Sequence, residues 1–450
     1  MNEYYQLLRK NPGYLRLWMA QAVSLLGDWF TTIALSTLVV RYSNGSGLAV
    51  SGLLLARFVP PFLVGPFAGV LVDRLNRKHL LIFSDVVRTF VALTFLLAKG
   101  PGQLWLIYAL TIIQFSLSAL FEPCRSALIP SLVGQEDLVP ANTLGSVTWS
   151  VMLAAGAAIG GIVTAVLGTP TALIIDAATF ACSALLIVTI TPRAVAAASH
   201  TLPIHDANGL PLRLGDGRGF IDGLRYVAQH PATAAVMLVK AGGNIGNFDL
   251  LLVIYSTQMF VIGENGTGSL GILYAAFGAG AVLGPVVLNR FNDNSVRRMR
   301  RLIIVGYVWV ASGWLLFGLA PTLLLAILAV LVKAAGSSIY WTYSSVILQK
   351  IVPDDFLGRV FALDQAGFQL AVSFSALITG WLIDRVGHAG GIQISTAMGL
   401  LQTGTLNYQA GSAEVRAIVL GTALISVIPL ALWTVALPWM ERQVTKETLA

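Results

Sequence analysis

"LLGDWF" (25–30) and "NIGNFD" (244–249) fall into register when the chain is slid along itself by 219 residues, the interval from Asp28 to Asn247. Gly27 then meets Gly246, and Asp28 meets Asn247. The same ungapped shift sets Gly52 on Gly271, "VGP" (64–66) on "LGP" (283–285) and "LVGQEDL" (132–138) on "IVPDDFL" (351–357). It also sets Gly161 on Gly380 and Gly168 on Gly387. Leucine on isoleucine would count for little in so apolar a chain. Glycine and proline in register count for more, because they mark backbone requirements. The chain reads as two copies of one unit, 1–191 and 231–450. They are joined by a linker, 192–230, rich in Gly, Pro and charge.

Composition says what each copy is made of. Apolar residues are 56% of the 450, and charged residues only 11%. Soluble domains carry about 25% charged residues. Runs of about 20 apolar residues, long enough to cross a bilayer as helices, recur along nearly the whole chain. Lipid admits only helices and closed barrels, and barrel strands would be short and alternating. Twelve helical spans are expected, at 14–41, 48–72, 79–98, 102–130, 141–167, 170–190, 232–262, 267–291, 301–318, 321–349, 359–385 and 415–438. The predicted fold is an all-α membrane protein of twelve transmembrane helices in two pseudo-symmetric six-helix bundles.

The formal charge of +7 does not point to nucleic acid. Basic residues lie in separate short loops instead of on one face with aromatics between them. Arg9, Lys10, Arg74, Arg77, Lys78, Arg193 and the run at 297–301 fall on one side, against Arg41, Lys99, Arg385 and Arg416 on the other. That asymmetry puts both termini in the cytoplasm. The polar first dozen residues followed by a full-length span do not read as a cleavable signal. Cys124 and Cys182 sit within spans and suggest neither a disulfide nor a metal site. No phosphate-cradling loop with Lys, metal spacing or nucleophile constellation is present. The reading therefore assigns no enzyme activity, no metal and no cofactor.

Polar residues inside the spans carry the functional reading. A charge at mid-bilayer costs about 2.5–3.5 kcal/mol on insertion scales, so it must face a partner or a wet cavity. Gln21, Ser24, Asp28, Thr31, Thr32 and Ser36 recur at steps of three and four, a polar stripe on the first span. The seventh span carries Lys240, Asn244, Asn247, Tyr255 and Gln258. The fourth carries Gln114, Ser118, Phe121 and Arg125, and the tenth carries Lys333, Ser337, Tyr340 and Ser344. Gln114 maps onto Lys333 and Ser118 onto Ser337 under the repeat. Small polar residues alone would serve as helix glue, but Lys240, Lys333, Gln114 and Asn247 are better read as lining a substrate cavity. Asp28, at mid-depth, is the candidate proton carrier, because desolvation favours a neutral carboxylate. The alternatives are a static pair with Arg57, or direct substrate contact. Asp176, Asp249 and Asp364 are weaker candidates, nearer span ends or off the stripes.

"GVLVDRLNRKHLL" (69–81) carries Gly69, Asp73, Arg74, Arg77 and Lys78. By itself it reads as a tight positive-inside loop with one acid. It also resembles the G-x-x-x-D-R-x-x-R-K signature of the major facilitator superfamily, and "LNRFNDNSVRR" (288–298) is a degraded second copy with Asn292 opposite Asp73. The segments at 7–35, 59–78 and 221–231 are similar to the bacterial drug:proton antiporter group that includes macrolide exporters and enterobactin exporters. The resemblance implies two bundles that rock around a central site. It implies that Asp73 braces the start of the eleventh helix near 358–360, and that Arg77 pairs with Glu122 at the end of the fourth. Asp85 and Arg88 are expected to join that cluster. The implied activity is proton-coupled efflux of an amphipathic small molecule by a monomer of the bacterial inner membrane, with protons and lipid as its other partners. Lipid or small-solute transport, or a non-transporting sensor, are the alternatives. The outer loop 386–414 has no assigned role.

Overall fold

The computed structural model describes residues 2–191, 218–293, 295–388 and 412–447. Most of the linker and of the loop at 386–414 therefore lies outside the described residues. The described residues are almost all helical. A short α1 (Asn2–Lys10) leads into α2 (Pro12–Tyr42), α3 (Gly47–Arg74), α4 (Arg77–Thr94) and α5 (Leu104–Leu128). The fifth span is α6 (Leu138–Val151) and α7 (Ala157–Leu167), joined by a π turn at 152–156, and α8 (Thr169–Val188) follows. After the linker come α9 (Arg218–Gln229), α10 (Pro231–Gly242), α11 (Phe248–Ile254), α12 (Thr267–Asn289) and α13 (Val296–Leu319). Then come α14 (Leu323–Ile351), α15 (Asp354–His388), α16 (Ser412–Ile425) and α17 (Val427–Glu447).

Eleven helices among the described residues are long and apolar enough to cross a membrane. The seventh expected span is different. It breaks into two shorter apolar segments, Pro231–Gly242 and Phe248–Met259. Gly246 at φ 92 and Asn247 at φ 25 turn the chain out of the helix, where a side chain with a Cβ is strained. Asn247 then caps the next segment, its side chain accepting from Leu250 N at 2.9 Å.

Large apolar side chains point outward, as a membrane solvent allows. Val166, Leu424 and Val435 are each at least 74% exposed. Inside, helices meet through small residues. A Cβ on Gly280 or Gly284 of α12 would run into the carbonyls of Leu331 and Ala335 on α14. That is the small-xxx-small approach of membrane helices.

The chain divides into two compact units, 1–35 with 56–222, and 36–55 with 223–450. The first is centred on Tyr14, Leu17, Leu81, Phe121, Cys124 and Ile187, all buried. Tyr14 OH donates to the Ala141 carbonyl at 2.7 Å there. In the second, the Asp384 carboxylate at the end of α15 accepts from Ser46 Oγ at 2.8 Å, Gly47 N at 2.5 Å and Leu48 N at 3.2 Å. An acid thus caps the start of α3, where backbone donors lack helical partners.

Candidate transport site

In the first unit, α2, α4 and α8 bring three carboxylates and one guanidinium together. Asp28 pairs with Arg88 Nη2 at 2.7 Å. Arg88 Nη1 reaches Asp85 Oδ1 at 3.3 Å and Ser24 Oγ at 3.4 Å. Ser183 Oγ donates to Asp85 at 2.5 Å, and Thr31 Oγ1 donates to Asp176. The guanidinium lies 3.9 Å above the Phe180 ring, which packs with Ala92 and Ala177. Gly27 permits the approach, since a Cβ there would collide with Asp176 and Thr179. The Arg88 and Asp85 side chains are 1% and 0% exposed, whereas that of Asp28 is 19% exposed. Asp176 is fully buried. Asp28 is therefore the accessible edge of a cluster otherwise sealed in protein.

This corrects two expectations. The ion-pair partner of Asp28 is Arg88 and not Arg57. Asp85 and Arg88 belong with Asp28, and not with the loop after α3. The reason is their register: three residues apart on α4, they share the face turned to α2 and α8. The Asp-x-x-Arg spacing inside an apolar span was the available signal, and Asp176 carried none beyond its charge.

The loop itself is partly different from expectation. Glu122 pairs with Arg125, one turn along its own helix. Arg77 Nη1 instead donates to the Ala127 carbonyl at 2.9 Å, and Lys78 Nζ to the Val188 carbonyl at 2.8 Å. Both carbonyls lie in last helical turns, where acceptors are unpaired and the helix end is partially negative. Gly69, Asp73 and Arg74 lie in the last turns of α3, and their side chains lie outside the described ones.

The other candidates fall as follows. Gln21 and Gln114 are buried, and among the described residues Gln114 has no hydrogen-bond partner at either amide atom. Ser118 is half-buried. Thr32 Oγ1 donates to the Asp28 carbonyl at 2.6 Å. In the second unit Lys240 forms a buried pair with Asp364 and lies 4.6 Å from the Trp341 ring centroid. Asn244 donates to the Lys240 carbonyl at 2.8 Å, and Asn247 to the Val372 carbonyl at 3.0 Å. Lys333 sits among Phe248, Phe277 and Trp314, at 3.9, 5.3 and 5.5 Å from their ring centroids. Ser337 Oγ donates to the Lys333 carbonyl at 3.0 Å. Tyr340, 2% exposed, stacks on Tyr307. Within this unit the helix break opens onto a cavity of about 550 Å³ walled by α10, α15 and α16, with Asn244, Gly246, Phe374, Ser375 and Thr422 on its surface.

A family profile described as transmembrane secretion effector matches residues 8–427. The chain is 25% identical over 397 residues to the MFS-type transporter YfiS of Bacillus subtilis (strain 168), covering 85% of this chain and 89% of that one. It is 23% identical over 387 residues to macrolide efflux protein A of Streptococcus pyogenes, covering 83% and 90%. Among solved structures, it superimposes on a bacterial homolog of the human lysosomal transporter Spinster with a TM-score of 0.73. That match has 15% identity and covers 96% and 97% of the two chains.

Proposed function

The chain belongs to the transmembrane secretion effector family of major facilitator transporters, and on that premise we propose that it exports amphipathic small molecules by alternating access, driven by protons taken up at Asp28. The observation that carries the reading is the accessible Asp28 carboxylate at the edge of the buried Arg88 cluster. One guanidinium faces three carboxylates there. Unbalanced charge is costly at membrane depth, and a proton on Asp28 reduces the imbalance. The same proton weakens the bond to Arg88, so that α2 loosens its hold on α4. Protonation would thus be tied to a helix rearrangement, which is what coupling requires. The efflux protein among the relatives supports the outward direction.

We place the protein in the bacterial cytoplasmic membrane as a monomer of two six-helix bundles, with both termini cytoplasmic. The asymmetric distribution of Lys and Arg between loops supports that orientation. The test is uptake into proteoliposomes under an imposed pH gradient, run beside cargo exchange without a gradient. Asp28→Asn should abolish the first and preserve the second. Wild-type gradient-driven uptake by Asp28→Asn would remove the acid from the coupling step.

A further inference from the structure

Arg57 lies near the middle of the span Gly47–Gly65. Its guanidinium stands 5.7, 5.5 and 5.3 Å from the ring centroids of Trp29, Phe58 and Phe115. Among the described residues it makes no ion pair and no hydrogen bond, because Asp28 is held by Arg88. All four residues are half-buried, so the group remains reachable from outside the packed core.

The repeat shows that this arrangement is no accident of one helix. Trp29 and Phe58 map, by the same 219-residue shift, onto Phe248 and Phe277. Those rings hold Lys333, which likewise makes no ion pair among the described residues. Each unit therefore keeps the same aromatic pair and sets a cation on it, but from a different helix: α3 in the first unit, α14 in the second. Gln114 takes the place of Lys333 in the first unit, and its buried amide has no partner among the described residues.

We propose that Arg57 is the recognition point for an oxyanion on the cargo, a carboxylate or phosphate carried by an amphipathic molecule. The rings offer π faces to the cation but no acceptor for its N–H donors, which form the fork that fits an oxyanion in two parallel hydrogen bonds. The rings also offer apolar surface to the cargo body. This rests on the transport reading above and narrows its cargo to anions. The oxyanion could belong to a soluble solute or to a lipid headgroup.

The experiment uses the full chain in phosphatidylcholine nanodiscs and two fluorescent probes, dansyl-phenylalanine and its primary amide, which differ only in the carboxylate. The wild type should bind the acid at least ~10-fold more tightly than the amide, about 1.4 kcal/mol. Arg57→Gln should abolish that preference by bringing the acid's affinity down to that of the amide, and an unaltered far-UV circular dichroism spectrum reports an intact fold. Arg57→Lys should keep part of the preference, and it carries the test if Arg57→Gln does not assemble. Repeating the titration with phosphatidylglycerol added separates the sources. Competition against the acid in wild type, absent in Arg57→Gln, identifies a headgroup ligand; no competition identifies a soluble one. Equal wild-type affinity for acid and amide, failure of the acid to bind, or a preference that survives Arg57→Gln overturns the proposal. No pH gradient enters the assay, so its failure leaves proton-driven export standing, and failure of coupling leaves the anion site standing.

Discussion

Two buried cations, Arg88 and Lys240, and their ion pairs dominate the residue scale. Arg88 is 1% exposed and balances Asp28 and Asp85 together. Removing it leaves carboxylates buried without a counter-charge, which costs about 3–5 kcal/mol. Arg88→Ala should therefore lower the thermal unfolding temperature in detergent sharply or prevent accumulation in the membrane, and an unchanged melting curve would contradict the pairing. Lys240 and Asp364 allow a cleaner experiment, because both are almost fully buried and pair with each other. Lys240→Met alone should be destabilising by a similar amount. The double change Lys240→Met with Asp364→Leu should recover most of the loss, since a buried pair is often replaceable by apolar groups of like volume. A double variant as unstable as the single one would show that the pair has other partners.

Among the elements, the break in the seventh span stands apart. Three devices hold it: Gly246 at φ 92, Asn247 at φ 25, and Ser375 Oγ accepting from Gly246 N and Asn247 N at 2.9 Å each. Asn247→Ala loses the cap and keeps the strained dihedral, and should cost about 1–2 kcal/mol. Asn247→Gly should cost less, because glycine tolerates positive φ. Thermal unfolding of the purified proteins ranks them, and the reverse order would mean that the dihedral matters little. Hydropathy could not reveal this break. It measures greasiness, and a helix interrupted by five residues is as greasy as a continuous one. The hint lay in "GGNIGN" (242–247), where Gly and Asn crowd a mid-span position.

Across the whole molecule, the division of the chain does not follow the linker alone. Residues 36–55 belong to the second unit although they precede the linker by more than a hundred positions. Asp384 explains the exchange. Its carboxylate holds Ser46, Gly47 and Leu48, and Ser51 Oγ donates to the Ala376 carbonyl at 2.6 Å. The glycines Gly47 and Gly380 let the two backbones touch. A charge-assisted hydrogen bond is worth about 1.5–3 kcal/mol. Asp384→Ala should accordingly speed amide hydrogen exchange at Gly47 and Leu48 by roughly tenfold or more, while exchange at the Asn247 cap stays as it was. Unaltered exchange at 47 and 48 would mean that the start of α3 is held by other contacts.

The sequence determined the class of molecule by itself. Spans, loops and the internal repeat depend on hydropathy and on glycine and proline register, and these properties act over a few residues or recur at a fixed interval. Tertiary structure alone decided which charges meet. Asp28 lies 60 residues from Arg88 and 29 from Arg57, and both arginines sit at depths that suit it. The choice between them turns on how α2, α3 and α4 are rotated about their axes. Helix rotation is fixed by side-chain packing summed over the whole unit, including the room Gly27 leaves for α8, and no local pattern encodes that sum.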